Sequence, residues 1–210
     1  MRSCVRQFIP LNEVRVKTEV HMKTFLLLMA CAFNAFAADA SLPPSAKDIE
    51  GVYKHRFMNG IITPGKAPME ADTPYESEDI VEIVPYDDSH IYVRAELQFY
   101  NGHTCSISGL AGREGRGYVF HDPETVAAGE QPCTLTVMPS RDTLTLTDRL
   151  GADGASTCRM HCGARGTLSN YTIPMKARRP IRYLDRLKRS NEYQKAIADL
   201  KQYEAGRDAR

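Results

Sequence analysis

The chain predicts a mainly β domain: an antiparallel meander closing into a small barrel or sandwich, followed by an amphipathic C-terminal helix. Three observations carry that expectation. Short stretches rich in β-branched and aromatic residues alternate apolar with polar side chains. Turn signals such as Asp87-Asp88-Ser89, Asn101-Gly102 and Ser140-Arg141 separate them. After Pro180 the apolar period changes from two to steps of three and four.

The first alternating stretch is "GVYKHRF", in which Val52, Lys54 and Arg56 face away from Tyr53, His55 and Phe57. Asn59-Gly60 behind it reads as a hairpin-type turn. The segment "IITPGKAPMEADTPYESED", residues 61–79, holds three prolines and no period, so a long loop is expected there. Strand signals resume with "IVEIVPY" (Ile80 to Tyr86), "HIYVRAELQFY" (His90 to Tyr100), "HTCSISGLA", "RGYVFHD", "CTLTVMP" and "DTLTLTD". Seven or so such strands in succession favour a barrel or sandwich. In "IRYLDRLKRSNEYQKAIADLKQY", residues Ile181, Leu184, Leu187, Tyr193, Ile197 and Leu200 form one apolar stripe. That pattern predicts an amphipathic helix, or two short ones meeting near Ser190-Asn191, packed across the sheet and plugging one end of the barrel.

Four sections follow from composition. Residues 1–37 read as an upstream extension plus a secretory signal peptide, Met22 to Ala37, with Lys23 as the positive start, an apolar run from Phe25 to Phe33 and an Ala35-Phe36-Ala37 cleavage site. The apolar run is too short to span a bilayer, which takes about 20 residues. "LMAC" at Leu28 to Cys31 also loosely fits a lipidation box, so attachment to a membrane is expected only through Cys31. Residues 38–48 read as a flexible tether, 49–175 as the β domain and 176–210 as a basic helix packed on it. The expected location is periplasmic or secreted.

Of the 27 basic and 26 acidic residues, five and two fall within residues 1–37, leaving 22 against 24. A near-neutral domain has no global field to recruit nucleic acid, and none is expected as a partner.

The densest chemistry lies in "CRMHCGARG", Cys158 to Gly166. Cys158, His161 and Cys162, with His103 or Cys105, offer tetrahedral zinc ligands, but the paired knuckle spacing of structural zinc sites is missing. In an oxidising compartment four cysteines pair, so Cys105, Cys133, Cys158 and Cys162 are expected in disulfides, with no metal and no cofactor. The expected pairing is Cys105 with Cys133 and Cys158 with Cys162, the two other pairings that four cysteines allow remaining open. The short loop would then present Arg159, Met160 and His161, and the expected binding residues are Arg159, His161 and, just beyond the loop, Arg165.

No nucleophile elbow, zinc-protease helix or glycine-rich phosphate loop occurs, so a catalytic residue is not assigned. His90, His103 and His121 stand at strand ends, where they could converge at one rim. A metal carrier or enzyme built on His103, His121 and His161 is therefore the alternative class. The segment "KARRPIRYLDRLKR" sets seven basic residues against Asp185 and would suit a structural envelope component meeting cell-wall polymer or anionic lipid.

Gly51-Val52-Tyr53 at the first strand, "NGHTCSISGLAG" and "CRMHCGARG" together resemble small exported bacterial proteins of the periplasm, some of them grouped with inhibitors of lysozyme-type enzymes. The resemblance spans residues 49 to 195 and rests on cysteine and glycine placement. It implies a small antiparallel barrel that binds a protein. The Ser- and Gly-rich inhibitory loop of membrane-bound lysozyme inhibitors is absent, so no inhibitory residue is carried over. The expected function is that of a non-catalytic cell-envelope binding protein, an inhibitor or immunity protein against a lysozyme-like enzyme. Its contact surface would be the loop from Arg159 to Arg165 and the long loop from Thr63 to Asp79.

Overall fold

A computed structural model describes residues 44–66, 72–123, 131–150 and 155–208. The expected signal peptide, cleavage site and Cys31 lie outside the described residues. Among the described residues there are eleven strands: β1 (Gly51–Ile62), β2 (Asp72–Pro85), β3 (His90–Gln98), β4 (Thr104–Glu114), β5 (Gly117–His121), β6 (Thr134–Pro139), β7 (Thr143–Thr147), β8 (Arg149–Leu150), β9 (Ala155–Ser156), β10 (Tyr171–Pro174) and β11 (Arg178–Arg179). Helices α1 (Leu184–Lys188) and α2 (Asn191–Asp208) follow.

Nine strands form one antiparallel sheet in the order β10-β7-β6-β5-β4-β3-β2-β1-β11, and β8 pairs with β9 alone. The sheet curls into a nearly closed barrel, as the alternation predicts. At the seam β10 approaches β1, and the chain crosses over a 3₁₀ turn, Met175–Ala177, so that β11 pairs with β1 through Val52 and Tyr53. The Tyr53 hydroxyl donates to the Ile49 carbonyl at 2.8 Å and lies 3.7 Å from the Met175 sulfur.

Period two fills the interior. Val81 and Ile83, Ile91, Val93, Ala95 and Leu97, Ile107 and Ala111, Leu135 and Val137, Leu144 and Leu146 are all buried in one cluster. Burying a side chain of this size is worth roughly 1.5–3 kcal/mol. On β4, Gly109 continues the inward set, and a Cβ there would stand 2.1 Å from the Phe120 ring. Glycine thus makes room for the aromatic ring that closes the core between β4 and β5.

Three expectations are corrected. Asn59-Gly60 is not a turn. β1 runs through it to Ile62, paired residue by residue with β2 from Gly51↔Ile83 to Ile62↔Asp72. Residues 61–62 and 72–79 of the expected long loop therefore belong to the strands of a two-stranded ribbon. Pairing of β2 with β3 starts only at Ile80, so Pro74 sits where β2 has no second partner among the described residues and its missing N–H costs no ladder bond.

The ribbon is held by charge across the strands: the Glu78 carboxylate accepts from Lys54 Nζ at 2.6 Å and from Arg56 Nε at 2.8 Å. Those donors hold the Glu78 carboxyl below the usual glutamate range.

The helix does not plug the barrel. It packs on the outer face, where Val84, Tyr92 and Leu110 alternate with the interior residues and meet Leu187, Tyr193 and Ala196. The Tyr92 and Tyr193 rings lie 4.7 Å apart in a tilted contact. The stripe breaks at Ser190, as expected, and splits the helix into α1 and α2. Beneath α1 the fully buried Glu82 faces Arg94 Nε at 2.7 Å, too obliquely for a hydrogen bond, and accepts a hydrogen bond from the Tyr183 hydroxyl.

Candidate functional site

The cysteine-rich loop is a stapled structure, and its staples differ from the expected pairing. Cys105 bonds Cys162, and Cys133 bonds Cys158. Two local contacts decide this. Cys162 lies beside Cys105 in an isolated antiparallel bridge, and the Gly163 N–H donates to the Thr104 carbonyl at 2.8 Å. Thr157 lies beside Thr134, accepting from its N–H through Oγ1 at 3.0 Å, which sets Cys158 against Cys133. Cys158 and Cys162 are instead separated by a 3₁₀ turn, Arg159–His161, closed by the His161 N–H on the Cys158 carbonyl at 3.0 Å. Each end of this five-residue turn is thus anchored to a different part of the sheet.

A buried carboxylate fixes the approach to the turn. Asp148 accepts from Ser169 Oγ at 2.6 Å, Ser156 Oγ at 2.5 Å and the Cys158 N–H at 3.1 Å. Three donors from two segments compensate the desolvation of this charge and tie the end of β7 to β9, the Cys158 backbone and the approach to β10. At the far end Gly166 is packed so closely that a Cβ would stand 2.7 Å from the Cys105 sulfur.

The expected binding residues separate into two groups. Arg159 and Met160 are exposed at the head of the turn, Met160 by 59%. Arg165 is also exposed, with its guanidinium 5.7 Å above the Tyr100 ring, a cation–π arrangement. His161, expected at the tip, turns inward: its Nε2 lies 2.7 Å from Oδ2 of Asp122, whose side chain is 5% exposed. His161 therefore positions the turn. Asp122 and Asp148 escaped the sequence reading because nothing in their spacing marks them; their roles arise from contacts 39 and 10 residues away.

Among the described residues, one set of three metal-capable side chains brings its ligand atoms within 4.8 Å: Asp122, Cys133 and His161. The Cys133 sulfur is already bonded to Cys158 and offers no thiolate, which leaves two ligands of the roughly four that zinc takes. The expected trio His103, His121 and His161 forms no such set. His103 lies against Gly163, whereas His121 contacts Glu114 and Tyr203.

Two disulfides fit an oxidising, non-cytoplasmic compartment. No helix among the described residues is long and apolar enough to cross a membrane. No family model matches the chain, and no curated protein or solved structure matches it.

Proposed function

We propose that this is an exported binding protein of the cell envelope that acts by contact and not by catalysis, inhibiting a lysozyme-like enzyme through the stapled turn. The observation that carries the reading is that Arg159 and Met160 are exposed on a turn whose two ends are each fixed by a disulfide. A contact surface ordered before binding loses little conformational freedom on association, so a small tip can bind tightly. The chemistry of the target is complementary. Enzymes that cleave glycosidic bonds keep two carboxyl groups flanking the scissile bond, and an arginine beside an exposed methionine suits an acidic cleft with apolar walls.

The experiment is a peptidoglycan-hydrolysis assay with a panel of lysozyme-like enzymes, paired with calorimetry. Stoichiometric inhibition that weakens at least tenfold in Arg159→Glu and Met160→Asp is the expected result. Failure to bind any of the panel, or binding indifferent to both substitutions, removes the reading.

A further inference from the structure

Two grooves flank β11 where the seam of the barrel opens. The β1–β11 ladder holds only the pairs Val52↔Arg179 and Tyr53↔Arg178, because the next residue to face Lys54 would be Ala177, already in the 3₁₀ turn. The space left there is a groove of about 630 Å³ bearing Lys54, Arg56, Lys176 and Arg179 against one carboxylate, Glu78. The neighbouring groove, of about 490 Å³, shares Arg179 and adds Lys47 and Arg178 against Glu50. No residue of the stapled turn lines either. We infer that the two grooves form one binding site for a linear polyanion that carries repeated phosphate groups.

The first argument is where the charge collects. Six cations and two carboxylates line the grooves, whereas the chain after residue 37 has 22 basic residues against 24 acidic ones. The remainder of that section is therefore net negative, and the fold brings its positive excess together from Lys47, β1 and the segment 176–179. A concave surface of one sign draws oppositely charged ligands to it.

The second argument is that the fold orients these cations without neutralising them. Arg179 Nη1 donates to the Lys176 and Arg178 carbonyls at 2.9 and 2.8 Å, and Arg178 Nη1 donates to the Asp48 carbonyl. Carbonyl acceptors fix a guanidinium and leave its charge in place. The Asp48 carboxylate is occupied by Ser45, whose N–H and Oγ donate to it at 2.9 and 2.7 Å. On β1, Lys54 and Arg56 share Glu78, and Glu76 lies 3.6 Å from Arg56. The charge left for a ligand is thus that of Lys47, Lys176, Arg178 and Arg179, all exposed.

The form of the site selects among anions. Two grooves that share Arg179 suit charges repeated along a chain better than a single ion. Arginine offers a planar fork to a pair of phosphate oxygens, and lysine adds a point charge. Among the described residues no Phe or Tyr lines either groove, so nucleic-acid bases find no stacking surface. The exposed Met58, Ile61 and Ile62 also lie outside them, so the site lacks the apolar anchors with which a surface enters a membrane.

The test is calorimetric titration of the full chain with short-chain inorganic polyphosphate, at about 50 mM and about 200 mM salt, since contacts to phosphate weaken as salt rises. Saturable micromolar binding at the lower salt, weaker at the higher, is the expected result. Lys176→Glu/Arg179→Glu should lose at least tenfold in affinity. Lys188→Glu/Lys201→Glu, the same change of charge on α1 and α2, should lose less than twofold. Amide NMR shifts on the unsubstituted protein should fall on residues 47–56 and 176–181, which keeps the test independent of whether the variants fold. No saturable binding at the lower salt, shifts elsewhere, or equal losses in the two double variants overturns the inference. So does tighter binding of polygalacturonate, of oligothymidylate or of phosphatidylglycerol vesicles, each of which would assign the grooves to a different partner. None of these readouts depends on inhibition of an enzyme.

Discussion

The Tyr171 hydroxyl donates to the Asp79 carboxylate at 2.9 Å, joining β10 to β2 across the seam of the barrel. Asp79 is 4% exposed and also accepts from the Gln98 N–H at 2.7 Å, while His55 stands 3.6 Å away. Tyr171→Phe removes one donor to a buried charge and should cost about 1.5–3 kcal/mol. Urea denaturation of the two proteins checks this; an unchanged midpoint would mean that the seam holds without the bond.

Non-reducing peptide mapping should recover Cys105 linked to Cys162 and Cys133 linked to Cys158. The staples close loops with sequence separations of 57 and 25 residues. Chain-entropy arithmetic gives them about 4 and about 3.5 kcal/mol respectively. Replacing Cys133 and Cys158 together by serine should therefore lower the urea midpoint strongly. Recovery of a Cys158–Cys162 peptide would contradict the architecture of the turn.

Gly166→Ala places a methyl group 2.7 Å from the Cys105 sulfur and 3.2 Å from Cys162 Cβ. Overpacking of this kind costs about 1–3 kcal/mol. Thermal melts should show the loss, and thiol titration after oxidative refolding should find more unpaired cysteine than in the parent protein. A variant as stable and as fully oxidised as the parent would show that the neighbouring backbone gives way easily.

Alkaline pH should unfold the protein through its tyrosines. Burial raises Tyr53, Tyr92 and Tyr183 from 10.0 to about 12, and burial together with the Asp79 charge raises Tyr171 further. A phenol whose folded pKa exceeds its unfolded value contributes stability that is complete below the unfolded pKa and is lost as pH climbs through the folded one. Phenolate absorbance and circular dichroism should thus change together between pH 10 and 12. Full ionisation of all ten tyrosines near pH 10 with the fold intact would contradict this burial.

Glu78 works in the opposite sense. Its lowered folded pKa gives stability above the ordinary value of 4.5 that disappears as pH falls through the folded value. Glu78→Gln should be less stable at neutral pH by up to about 1 kcal/mol, as befits a partly exposed ion pair. Below pH 4.5 its stability should fall less steeply than that of the parent, which acid titration followed by fluorescence would measure.

Strands β3 to β7 were legible because their alternation separates an apolar interior from a solvated face. The β1–β2 ribbon was not: residues 72–79 bury little apolar surface, and their pairing rests on Glu78 between Lys54 and Arg56. The position of the helix did leave a trace. "EIVPY" and "HIYV" carry apolar residues on both faces, the mark of strands covered twice, and Val84 and Tyr92 are indeed buried under α1 and α2. Cysteine pairing left none, because it depends on which backbone segments lie side by side, as Thr157 does with Thr134.

The interior cluster and the Tyr92–Tyr193 cluster share a sheet but face opposite ways. Lifting α2 away breaks no inter-strand bond of the meander, so the helix is a layer that can open by itself. Its amide hydrogens should exchange with solvent by local opening, at a rate nearly insensitive to low denaturant, whereas those of β3 and β4 wait for global unfolding. The protein thus has two tiers of persistence: a stapled barrel that keeps its form, and a helical cover that comes and goes on a faster clock.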